Sequence, residues 1–186
     1  MRLPSSKSVL AACAVAAVLV AGGCKNPRPD GAAREGLDVK VAGLDYNVYI
    51  TRQLNLHDAE DRGYYGGPEA PPGFALYGVF IKVCNPEHGF RSPATTQFKI
   101  EDNQGKPFTP LPLPNRNPFA YHARRLSKKA CIPEAGSAAA TGPTEGSMLL
   151  FRLPTTSLEN RPLELFIEAT EAPGRPTQTK RIELDI

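Results

Sequence analysis

The side chains of this 186-residue chain that could do chemistry are three histidines, four cysteines and one crowded acidic turn. His57, His88 and His122 are the bases available to a hydrolase, and each falls in a stretch that reads as loop. Hydrolysis also needs a nucleophile and an orienting acid within hydrogen-bond reach of the base. No serine stands in a G-x-S-x-G elbow, and no residue set assembles into a catalytic group, so an enzyme is not expected. In His57-Asp58-Ala59-Glu60-Asp61, nitrogen and oxygen ligands crowd into one turn, without the alternating ligands and bend glycine of a calcium loop. If that turn is helical, His57 and Asp61 share a face, and a cation could sit there with His88 or His122. The alternative is a solvated turn in which Asp58 or Asp61 pairs with Arg52 or Arg62. No cofactor is expected.

A second constellation suits recognition. Tyr64 and Tyr65 stand beside two glycines, and Phe119 and Tyr121 precede Arg124, Arg125, Lys128 and Lys129. Tyr and Arg bring area and hydrogen bonds with few rotors, which is why binding surfaces favour them. The competing reading has the aromatics capping the open ends of the fold. The basic residues could equally face anionic headgroups or form a solvated loop.

The cysteines divide by position. Arg2 and Lys7 precede a run from Val9 to Ala21 made only of Ala, Val, Leu and Cys, followed by two glycines and Cys24. This is the three-part layout of a secretory signal, and the run is too short for a spanning helix of about 20 residues. The segment resembles the lipobox of bacterial lipoproteins, with Ala21 where that family usually has Leu. The resemblance implies cleavage before Cys24, a diacylglycerol thioether on its sulfur and an acylated amino terminus. The protein would then be lipid-anchored at the extracytoplasmic face of the cell membrane. The alternative is an ordinary signal that leaves Cys24 a plain thiol. Cys13 leaves with the signal, so Cys84 and Cys131 remain. Outside the cytoplasm such a pair is oxidised, contributing roughly 4 kcal/mol in the chain-entropy model. Two separate buried thiols are the other reading.

Removal of residues 1–23 takes Arg2 and Lys7, so the 22 Lys and Arg fall to 20 against 19 Asp and Glu. A nearly neutral domain lacks the basic excess that nucleic-acid binding needs, and none is expected. Nineteen prolines and sixteen glycines argue for short strands and turns over long helices. Residues 24–36, with the run KNPRPDGAAREG, have no apolar period and read as a flexible tether of at most about 40 Å.

The elements that must position these side chains lie in residues 37–186, where apolar residues recur with a period of two. Tyr46, Val48 and Ile50 share a face. So do Tyr77, Val79, Ile81 and Val83, then Phe98 and Ile100, Leu149, Phe151 and Leu153, Leu163, Leu165 and Ile167, and Ile182, Leu184 and Ile186. Asp102-Asn103-Gln104-Gly105 predicts a hairpin turn into Phe108, with Gly105 left-handed. About seven short strands describe an all-β antiparallel sandwich, with a small barrel as the alternative. Two long loops, Arg52 to Gly73 and Leu111 to Ala135, interrupt it, and a helical turn is expected at His57 to Arg62.

Three stretches carry a second resemblance: Tyr77 to Asn85, Phe98 to Gly105, and Glu145-Gly146 followed by Leu149 to Pro154. They look like the secreted immunoglobulin-like domains of unknown function found on many bacterial lipoproteins. Asn117 to Tyr121 and Asn160 to Leu165 look like stretches of actinobacterial hypothetical lipoproteins. The resemblance implies an immunoglobulin-like β-sandwich and is nearly silent on activity. Alternation in turn places Cys84 on the outer face with Phe80 and Lys82. A bond to Cys131 would therefore draw the second loop across that face, with Phe119 or Tyr121 covering Phe80. The function expected is a non-enzymatic binding or assembly module of the cell envelope, partnered by the membrane through its lipid and by an envelope protein. The alternative is a metal-binding or metal-handling lipoprotein that uses the His57-Asp61 turn.

Overall fold

The computed structural model describes residues 31–86 and 92–186. Cys24, His88, the signal segment and the first part of the tether lie outside the described residues. In chain order the strands are β1 (Ala33–Arg34), β2 (Val39–Val41), β3 (Leu44–Leu54), β4 (Phe74–Cys84), β5 (Ser92–Pro93) and β6 (Gln97–Glu101). They continue with β7 (Pro107–Phe108), β8 (Arg125–Leu126), β9 (Cys131–Ile132), β10 (Ser147–Pro154), β11 (Glu164–Thr170) and β12 (Thr177–Glu183). Two short helices are α1 (Ala59–Tyr64) and α2 (Ala138–Thr141).

The strands form an all-β, immunoglobulin-like sandwich. One sheet has the order β1-β12-β11-β6-β7, and the other has β10-β4-β3-β2 with β9 also paired to β4. A small ribbon pairs β5 with β8. Between the sheets lie Tyr77, Val79, Ile81 and Val83 of β4, Leu149, Phe151 and Leu153 of β10, and Ile100, Leu165, Ile167 and Ile182 opposite them. The expected hairpin joins β6 to β7. Asp102 Oδ1 accepts from the amides of Gln104 (3.0 Å) and Lys106 (2.9 Å), and Gly105 has φ +77°.

Three expectations need correction. Ala33 and Arg34, read as tether, pair in parallel with Ile182 and Glu183, and the Glu35 carboxylate accepts from the amides of Thr51 (3.2 Å) and Asp185 (3.3 Å). The fold thus begins upstream of residue 37, because a strand of two residues has no period to read. In β3 a bulge between Val48 and Ile50 inserts one residue and exchanges the faces. Ile50 is therefore 42% exposed while Thr51 is 4% exposed, the reverse of strict alternation. The last strand ends at Glu183, and its exposed first half, Thr177 to Lys180, offers no apolar signal.

The second sheet also carries an apolar patch on its outward face. Leu76, Phe80, Met148 and Leu150 form a separate buried cluster with Leu54, Leu56 and Tyr64, against which Leu111, Leu113 and Phe119 pack. Phe80 does face outward and is fully buried by loop residues, as alternation predicts. The disulfide plays a different part from the one expected. Cys84 and Cys131 are bonded, but they stand directly opposite one another on paired strands β4 and β9, so the bond is a rung within the sheet. The second loop is instead held along the edge of β10. Leu111 N donates to Leu150 O (2.6 Å), Met148 N to Phe119 O (2.6 Å) and Tyr121 N to Met148 O (3.0 Å).

Gly78 lies in the middle of this outer face, opposite Leu150 and Arg52. A Cβ built there would sit 2.9 Å from the Phe80 ring and 3.0 Å from Met148 Sδ, so both side chains occupy the space that a larger residue would take. Gly78→Ala should destabilise the domain by about 1–3 kcal/mol through overpacking. A lower denaturant midpoint with an unchanged slope is the expected result.

Candidate functional site

The two long loops meet over the outer face of the second sheet, and Tyr64 joins them. It is the last residue of α1, whose start is set by Asp58. That carboxylate accepts from the amides of Glu60 (2.8 Å) and Asp61 (3.4 Å), which puts the N-cap one residue after His57. The Tyr64 ring packs edge-on against Phe80 (4.9 Å) and Phe119 (4.8 Å). Its hydroxyl donates to Glu60 Oε1 (2.9 Å) and accepts from the amide of Thr144 (3.2 Å). Its carbonyl accepts from Asn117 Nδ2 (2.8 Å), while Asn117 Oδ1 accepts from Phe119 N (2.8 Å). One residue of the first loop thus fixes three points of the second half of the chain.

Arg52, near the end of β3, holds α1 down. Its Nη1 is 2.8 Å from Glu60 Oε1 and its Nη2 is 2.7 Å from Asp61 Oδ1, with the guanidinium 5.9 Å from the Tyr64 ring centre. Asp61 is 2% exposed, and its second oxygen accepts from Asn55 N (2.7 Å). The expected pairing of this turn with an arginine therefore occurs through Arg52. His57 and Asp61 do not share a helix face, because His57 precedes the N-cap. The imidazole is 82% exposed with Nε2 3.4 Å from Glu69 Oε1, whereas the Asp61 carboxylate points inward. Among the described residues no three His, Cys, Asp or Glu side chains group closely enough to hold a metal ion.

Of the residues read as a binding surface, several are interior. Tyr64 is buried. Tyr121 packs edge-on against Phe98 (5.2 Å) and donates to Thr95 O (2.8 Å), and Thr95 N donates to the Tyr46 hydroxyl (3.1 Å). Phe119 is half-buried in the outer cluster. Tyr64 and Phe119 thus cover the outer face of the second sheet, and only Tyr121 packs against the inner cluster, so capping of the open ends does not describe all three. Burial pushes the phenols of Tyr46 and Tyr64 above the ordinary value of 10.0, and that of Tyr121 well above it. Arg124 donates to Cys131 O (2.7 Å) and lies 3.5 Å from Glu134, while Arg125 is exposed. Tyr65 alone of the named aromatics lines the cleft between the two long loops.

That cleft, of about 530 Å³, runs between the two loops. Arg62 and Tyr65 line one side, Arg116 and Asn117 the other, and Pro68, Pro112, Pro114 and Pro118 complete its walls. Arg116 escaped notice in the sequence, although Pro110, Pro112, Pro114 and Pro118 mark a stiff segment around it. A second cleft of about 410 Å³ opens at the edge between β6 and β10. It is walled by Phe98, Leu111, Tyr121 and Leu149, with His122 at its side. The first can meet an anion with cations and flat apolar walls, and the second offers mainly hydrocarbon.

No protein-family model matches the chain, and no curated protein matches it. Among solved structures, the crystal structure of the yjhA protein from Bacillus subtilis matches with a TM-score of 0.55 at 11% identity, covering 82% of this chain and 99% of that one. Likeness at that identity shows the fold alone.

Arg52→Ala should cost about 3 kcal/mol, because it leaves the Asp61 carboxylate buried without its cation. Asp61→Asn in the Arg52→Ala background should recover part of the loss in a double-mutant cycle, and full additivity would argue against the coupling. Alkaline pH supplies another check. The raised phenols stay neutral in the folded state while the unfolded chain releases their protons near pH 10.0, so stability is fully present below that pH and falls above it. Thermal melting followed from neutral to strongly alkaline pH should show this fall, and Tyr121→Phe should blunt it.

Proposed function

We propose that this protein is a lipoprotein anchored through Cys24 at the extracytoplasmic face of the cell membrane, where it binds a ligand or envelope partner without catalysing a reaction. The observation that carries the binding reading is the cleft between the two long loops. Loops of this length in a compact domain are either functional or disordered, and these are packed, hydrogen-bonded and ordered around an opening of ligand size. The anchoring half rests on the signal-like segment that ends at Cys24 and on its resemblance to a lipobox. A structural disulfide between Cys84 and Cys131 accords with an oxidising compartment.

Metabolic labelling with a fatty-acid probe tests the anchor. The wild-type chain should take up label and sediment with membranes, whereas Cys24→Ala should remain unlabelled. Equal labelling of the two would overturn the lipoprotein reading.

A further inference from the structure

The cleft between the loops is lined by two arginines from distant parts of the chain. Arg62 comes from the last turn of α1 and Arg116 from the proline-rich stretch of the second loop. Neither takes part in an ion pair among the described residues, whereas Arg52, Arg124 and Arg181 each have a carboxylate at 2.7–3.5 Å. Among the described residues no acidic side chain lines the cleft. Two like charges lining one opening favour an anion there. Asp58, Glu60 and Asp61, the nearest acids in sequence, are committed elsewhere, the first as the cap of α1 and the other two to Arg52.

The rest of the cleft is shaped to receive a flat group beside that anion. The Tyr65 ring rests on Gly67, where an added Cβ would fall 2.2 Å from the ring. At Gly63 and Gly66 an added Cβ would meet nothing within 4 Å, so bare backbone faces the opening and a ligand can approach it closely. Four prolines stiffen the remaining walls, so little chain entropy is lost on binding. The Asn117 amide is occupied on both its oxygen and its nitrogen, which makes it a brace for the wall.

We infer that this cleft binds an organic anion, with a phosphate or carboxylate group held between Arg62 and Arg116 and a ring or other flat portion lying against Tyr65. The inference deepens the binding-module reading and rests on it. Guanidinium forks suit both anions because each can accept two parallel N–H bonds. Such an anion could belong to a soluble metabolite or to a lipid headgroup.

Calorimetric titration of the full-length chain in detergent with phenyl phosphate, benzoate and neutral benzyl alcohol tests the inference. At least one of the two anions should bind and the alcohol should not, with affinity falling as salt rises. Arg62→Ala and Arg116→Ala should each weaken binding by about tenfold or more, and Arg125→Ala, outside the cleft, should leave it unchanged. Absence of binding by both anions, or equal binding by the two cleft variants and wild type, would overturn the inference. Circular dichroism of the variants separates lost binding from lost fold. Competition by phosphatidylglycerol but not phosphatidylcholine vesicles would place the anion on a headgroup, and its absence would place it on a soluble molecule, the cleft being supported either way. Anion binding retained by a protein that takes no fatty-acid label would overturn the anchor and leave the cleft standing. The converse would overturn the cleft alone.

Discussion

Strand β4 is apolar on both faces, and a strand of that kind must be covered twice. Its inner residues meet the opposite sheet in the ordinary way of a sandwich. Its outer residues, Leu76 and Phe80, continue through Met148 and Leu150 of β10 and would otherwise face water. Burying one such side chain is worth about 1.5–3 kcal/mol, which favours the loops lying over them. Both long loops are held against the sheet for this reason. Gly78 makes the arrangement fit, because Phe80 and Met148 converge on the space above its Cα.

Covering an apolar face with polar loop backbone raises a second demand, since every amide and carboxylate drawn in must find a partner. Tyr64 meets much of it. Its hydroxyl serves Glu60 and Thr144, and its carbonyl serves Asn117, while the ring fills the space between Phe80 and Phe119. Asp61 follows the helix inward and is neutralised by Arg52, which reaches it from the outward side of β3. The consequence appears at the rim. With Asp58, Glu60 and Asp61 all engaged, Arg62 is left without a carboxylate partner among the described residues, at a cleft that Arg116 also lines. The charge of the cleft is thus set by the packing beneath it.

Much of this fold was legible in the sequence, and the failures have physical causes. Alternation along Tyr77 to Cys84 places Phe80 outward and under a loop, and the cysteine count points to the Cys84–Cys131 bond. Alternation fails at Ile50 because a bulge costs one residue of register and leaves no mark in composition. It is silent on Ala33–Arg34, which are too short to show a period. Tyr64, Tyr65, Phe119 and Tyr121 look alike as aromatics in loops, yet only Tyr65 reaches the cleft. What separates them is the outer apolar face and the mouth of the sandwich, long-range features that no local window contains. The helix start at Asp58 was readable as a capping carboxylate, and that reading would have removed the shared face of His57 and Asp61.

The two apolar clusters are adjacent yet distinct, and this separation bears on how such a cleft can be held. The inner cluster joins the two sheets, whereas the outer one joins the second sheet to its loops. The loops meet each other mainly through the Tyr64 contacts, and the second is tied to β10 by backbone bonds at Leu111, Phe119 and Tyr121. Side chains on opposite walls are therefore referred to one rigid sheet, through short paths that do not cross the sandwich core. A substitution in the roof can loosen the spacing of Arg62 and Arg116 while the sheets remain intact, because stability is distributed locally. Preorganisation of the cleft then depends on the outer cluster more than on the fold itself. The second hydrophobic cluster, superfluous for a sandwich, is what fixes the geometry of the cleft above it.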